Sequence, residues 1–95
     1  MNAKPTEITI YSSPLCGYCS AAKRLLNAKK AEFTEINVLF QGDKRREMIA
    51  RSGGRATVPQ IFVGDMHVGG FDDLTALDAA GRLDPLLSGA LNPSD

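Results

Sequence analysis

The spacing of apolar and polar positions changes several times along the chain, and each change marks an element. Glu7-Ile8-Thr9-Ile10-Tyr11 is rich in β-branched and aromatic side chains and predicts a strand. Ser12-Ser13-Pro14 breaks it. From 16 to 28 the apolar positions Cys19, Ala22, Leu25 and Leu26 recur at helical spacing, with Lys23, Arg24 and Asn27 on the other face. Residues 33–38 read as a second strand, so the first helix is a crossover between parallel strands and is right-handed. Residues 43–51 predict a charged second helix with Met48 and Ile49 turned inward, stopped by Ser52-Gly53-Gly54.

Beyond this point the elements shorten. Gln60-Ile61-Phe62-Val63 is an apolar run after a proline, Gly64-Asp65 is a two-residue turn, and Met66-His67-Val68-Gly69 returns: a β-hairpin. Asp72-Asp73 caps a third helix carrying Leu74, Leu77 and Ala80. A short helix follows near 84–87, and the tail at 92–95 is expected to fray. The order β-α-β-α-β-β-α predicts an α/β fold. A parallel half and a hairpin half share one mixed four-stranded sheet with helices on both faces. With 95 residues and no repeat or linker, 1–95 reads as a single domain.

Composition narrows the function classes. A chain 43% hydrophobic and 23% charged is ordinary for a globular domain. Eleven basic and eleven acidic residues cancel without forming a basic block, which argues against a nucleic-acid partner. No apolar run approaches the roughly 18 residues that span a bilayer, so no membrane partner is expected. The polar start, Met1 to Glu7, lacks the apolar centre of a secretory signal, and a cytoplasmic location is expected. Two cysteines are too few for a disulfide scaffold. His67 is the only histidine, so a zinc site within one chain lacks ligands. Redox chemistry is the better reading of Cys16-Gly17-Tyr18-Cys19.

That motif falls where strand turns into helix. The free N–H groups of the first helical turn and the positive end of the helix favour a thiolate at Cys16. Cys19, three residues on, lies on the same helical face and further into the protein. Cys16 is therefore the expected nucleophile, with Cys19 resolving the mixed disulfide that it forms. The bland alternative is a pair of buried small hydrophobes.

Three blocks resemble the glutaredoxins, in particular the short bacterial dithiol type. They are Cys16-Gly17-Tyr18-Cys19, Thr57-Val58-Pro59-Gln60-Ile61-Phe62 and Gly69-Gly70-Phe71-Asp72-Asp73-Leu74. Ile10-Tyr11 before the loop, Ala76-Leu77-Asp78, and the ending Leu83-Asp84-Pro85-Leu86-Leu87 extend the likeness to residues 7–87. The resemblance implies a thioredoxin-like fold and a glutathione-dependent thiol–disulfide oxidoreductase with Cys16 and Cys19 catalytic. Its substrates would be protein–glutathione mixed disulfides and protein disulfides. It also implies a cis bond before Pro59 and a glutathione site made by Tyr18, Thr57, Val58, Pro59, Gly70, Phe71, Asp72 and Asp73. In that site the Val58 backbone pairs with the tripeptide much as an added strand would. Glycines at 69 and 70 admit a close backbone, and the helix opening at Asp72 and Asp73 can meet the charged γ-glutamyl end. Without the resemblance, these aspartates read as an ordinary helix cap.

Three departures from the family matter. Gly17 stands where many dithiol members carry proline. Relatives with a small residue there hold a [2Fe–2S] cluster between two subunits, with Cys16 and glutathione as ligands, which makes a cluster carrier or sensor the alternative function. The protein is expected to be a monomer, and a dimer if it holds a cluster. Ser13 replaces a lysine that usually holds the glycine carboxylate of glutathione, leaving Lys44, Arg51 and Arg55 as unranked substitutes. Phe71 replaces a residue that is often cysteine. A thioredoxin reduced by a flavoprotein is the competing enzyme reading, and the Gly69 to Asp73 block argues against it. His67, alone on the predicted hairpin, reads as a surface residue without a catalytic role.

Overall fold

The computed structural model describes residues 7–88. The expected frayed tail and most of the polar start lie outside the described residues. The elements are β1 (Ile8–Ser12), α1 (Gly17–Ala28), β2 (Phe33–Asn37), α2 (Gly42–Arg51), β3 (Gln60–Val63), β4 (Met66–Gly69), α3 (Phe71–Ala79) and α4 (Leu83–Leu87). The sheet order is β2-β1-β3-β4. β1 pairs parallel with β2, as the helical crossover requires, while β1–β3 and β3–β4 are antiparallel.

Period-two alternation along the central strands divides the core. Ile8 and Ile10 of β1, with Ile61 and Val63 of β3, face one side. There Ala22 and Leu26 of α1, Leu74 of α3, and Leu83 and Leu87 of α4 cover them. Tyr11 and Phe62 face the other side and meet Met48 of α2 and Val38. Three helices therefore cover one face and α2 the other, in agreement with the sheet and layers predicted. Lys29, at the end of α1, binds Asp78 of α3 (2.7 Å) and Asp84 of α4 (2.9 Å), tying together the helices of the thicker layer. Both carboxylates raise the Lys29 pKa.

Four details differ from the sequence reading. The cap of α3 is Gly70, not an aspartate. A glycine backbone there turns tightly into the helix, and Asp73 becomes the third helical residue. Ala80 is exposed at the end of α3, because the helix stops before its last apolar position reaches the core. β4 carries a bulge: Phe62 pairs with His67 and Ile61 with Gly69, leaving Val68 as the extra residue. His67 thus shares the Phe62 face, where it is half-buried rather than on the surface.

Candidate active site

Cys16 is the N-cap of α1. Its backbone is extended (φ −112°, ψ 113°), and its Sγ accepts the backbone N–H of Cys19 at 3.1 Å. A sulfur in this position satisfies one of the free donors of the first helical turn. No acidic side chain stands in that turn, so the positive end of the helix is uncompensated. The sulfur is also 3.6 Å from the carbonyl oxygen of Val58, to which the thiol donates. The Val58–Pro59 bond is cis, as the resemblance implied.

Cys19 is 1% exposed, whereas Cys16 is half-buried. Burial pushes the Cys19 thiol up to about 12, with the neighbouring Cys16 adding to the effect. Two sulfurs one helical turn apart thus have different roles open to them. Cys16 can be reached from solvent, and Cys19 can be reached through Cys16.

Beside Cys16 lies a groove of about 280 Å³, lined by Tyr18, Arg55, Thr57, Val58, Pro59, Gly70, Phe71 and Asp72. Seven of these are residues that the resemblance singled out. Three elements assemble it: the first turn of α1, the loop before β3, and the start of α3. Tyr18, 68% exposed, stacks on Phe71 with ring centroids 6.0 Å apart, and the two rings form one wall.

Asp73 lies outside the groove lining. Its carboxylate accepts the backbone N–H of Gly70 (2.9 Å) and pairs with Arg55 (3.2 Å). These donors, the Gly70 N–H first, hold its pKa below the usual carboxylate value. Gly69 makes this packing possible. It sits at φ +116°, and a side chain there would meet the Asp73 carboxylate at 2.2 Å.

The structure also ranks the three cations. Lys44 pairs with Glu47. Arg51 donates to the Tyr11 hydroxyl and lies 4.1 Å from the Phe62 ring centroid, on the α2 face. Only Arg55 reaches the groove. It is placed there by Ser52, whose hydroxyl accepts the Arg55 N–H and donates to the Arg55 carbonyl, across the loop that Gly53 and Gly54 turn with positive φ.

Residues 8–68 match the family model described as Glutaredoxin. Glutaredoxin 3 of Escherichia coli (strain K12) is 54% identical over 81 residues, which cover 85% of this chain and 96% of that protein. A glutaredoxin of Pseudomonas aeruginosa is 49% identical over 81 residues, covering 85% and 95%. Among solved structures, a buckwheat glutaredoxin–glutathione complex superposes with a TM-score of 0.81 at 30% identity, covering 90% of this chain and 81% of that one. The solution structure of a Brucella melitensis glutaredoxin gives a TM-score of 0.77 at 49% identity, covering 95% and 98%.

Proposed function

This chain belongs to the glutaredoxin family of thiol oxidoreductases, and from that premise we propose that it reduces protein–glutathione mixed disulfides and protein disulfides at the expense of glutathione. The observation that carries the reading is the placement of the Cys16 sulfur, 3.6 Å from the Val58 carbonyl, beside a groove that ends at the start of α3.

The steps follow from that placement. The Cys16 thiolate attacks the glutathione sulfur of a mixed disulfide. The old S–S bond breaks, and the protein thiolate leaves and takes a proton. A second glutathione thiolate then attacks the glutathione sulfur on Cys16. This releases glutathione disulfide and regenerates the Cys16 thiolate. With a protein disulfide, Cys19 attacks the mixed disulfide at Cys16 and leaves a Cys16–Cys19 disulfide for glutathione to reduce.

In the groove, the Val58 backbone pairs with the cysteine of the tripeptide, Tyr18 and Phe71 flank it, and Asp72 with the first turn of α3 receives the γ-glutamyl end. Arg55 takes the glycine carboxylate in place of the lysine that Ser13 replaces. The work belongs in a reducing, cytoplasmic setting. Support comes from the structural likeness to a glutaredoxin–glutathione complex. Cys16→Ser is expected to abolish turnover in a glutathione-coupled assay, and Cys19→Ser to retain much of it with a glutathionylated substrate. Complete loss in both would overturn the division of labour.

The cluster-binding alternative has one observation in its favour. Among the described residues, apart from its chain neighbours and the helix's own backbone, nothing lies within 4 Å of where a Gly17 side chain would stand, so the start of α1 is open at that position. Cys16 would be the ligand from this chain, since Cys19 is buried. A brown dimer after anaerobic purification supports that reading. A colourless monomer after reconstitution with iron, sulfide and glutathione removes it.

A further inference from the structure

A short polar chain ties the loop before Pro59 to the hairpin. Gln60, fully buried at the start of β3, directs its Nε2 to the Thr57 carbonyl (3.0 Å) and hydroxyl (3.3 Å). Its Oε1 lies 2.6 Å from His67 Nε2 on β4. A carbonyl only accepts, so the end of the Gln60 amide facing Thr57 is its NH2 group. The amide oxygen therefore faces His67, and the imidazole nitrogen opposite it must carry hydrogen. The ring itself is fixed by stacking on Phe62, with centroids 4.9 Å apart.

We infer that His67 is a positioning residue for the glutathione groove. Through Gln60 it fixes Thr57, and with it the backbone that enters Val58. The inference rests on the groove being the glutathione site.

Its physical basis is the cost of the alternative. Without the His67 donor, a buried amide oxygen has lost its partner, and such groups are costly. Rotating the Gln60 amide would set oxygen against the Thr57 carbonyl and release the loop. Thr57 is exposed, so burial does not hold it in place. The damage therefore reaches the groove rather than the core. Burial, and then the positive charge of Arg55, hold the His67 pKa below its ordinary value against the opposing pull of Asp73. The ring is then neutral at pH 7, as the Nε2–H tautomer.

The test compares His67→Leu, His67→Gln, Gln60→Leu and the Gln60→Leu/His67→Leu double variant in the full chain. His67→Leu is expected to raise KM for a glutathionylated peptide roughly three- to tenfold. kcat, and the rate at which iodoacetamide alkylates Cys16, should stay within about twofold of wild type. His67→Gln returns a side-chain N–H toward Gln60 and restores most of the affinity. Once Gln60 is leucine the link is gone, so His67→Leu adds nothing further. Long-range proton–nitrogen NMR on the wild type, which needs no variant to fold, should place the ring proton on Nε2.

An Nδ1–H tautomer, an unchanged KM in His67→Leu, or additive effects in the double variant would each overturn the inference. Absence of glutathione-dependent turnover in the wild type would remove the groove assignment and the inference with it. That failure is told apart because the Nε2–H tautomer would still be seen.

Discussion

Two helices begin at the candidate site, and they begin differently. At α1 the capping residue supplies the acceptor: the Cys16 sulfur takes the N–H of Cys19, the third helical residue. At α3 the third helical residue supplies it: the Asp73 carboxylate takes the N–H of the capping residue, Gly70. Each helix uses one half of the reciprocal arrangement that a full capping box combines. The first turn of α1 carries no acidic side chain, while that of α3 carries Asp72 and Asp73. One helix end is left positive, which suits a sulfur anion. The other is already balanced and can receive a cationic group. The polarity of the groove is thus set by which residue of each first turn carries the acceptor.

The largest expected effect concerns the two residues that share the α1 cap. Iodoacetamide, followed by mass spectrometry from pH 6 upward, should add one group per chain, on Cys16. A second adduct, on Cys19, should appear only at markedly higher pH, because burial holds its thiol up. Equal labelling of both below pH 10 would erase the contrast. Next in size is Gly69→Ala. A methyl group at positive φ, 2.2 Å from the Asp73 carboxylate, breaks the α3 cap. It should cost about 1–3 kcal/mol of stability in denaturant titration and weaken glutathione binding.

Gly17→Asp makes the start of α1 resemble that of α3. The acidic residue should stabilise the helix by about 0.3–1 kcal/mol while slowing Cys16 alkylation at pH 7 several-fold. A faster reaction would refute the electrostatic reading of the α1 terminus. The smallest effect is at Asp73. Its folded pKa is depressed, so its contribution to stability is present above the unfolded value of about 3.9 and is lost as the pH falls through the lower folded value. The stability gap between wild type and Asp73→Asn should therefore close below about pH 4. The effect is small, because the Asp73–Arg55 pair is nearly half exposed.

Much of this was legible in the sequence, for identifiable reasons. Strands and helices announce themselves through local spacing, and β3 and β4 were bounded by a proline and a Gly-Asp turn. Cys16 and Cys19 lie three residues apart, so one helical turn sufficed to relate them. Other features depend on which distant side chains meet. The choice of Arg55 over Lys44 and Arg51 required knowing that α2 packs on the opposite face of the sheet from α1. The cap at Gly70 was hidden because an aspartate at a helix start most often caps it directly, and here Asp73 reaches back instead. His67 looked superficial because a lone histidine on a hairpin is most often exposed, although the Gly64-Asp65 turn already sets it opposite the apolar Phe62.

The outer strands of the sheet have one more implication, for behaviour at high concentration. An unpaired strand edge is a template on which another chain can stack. On β2, the Glu35 carboxylate pairs with Lys23 of α1 at 2.8 Å and accepts the Ser12 hydroxyl, keeping charged groups beside that border. β4 is only four residues long and is kinked at Val68. Both borders therefore discourage intermolecular stacking, by charge on one side and by shape on the other.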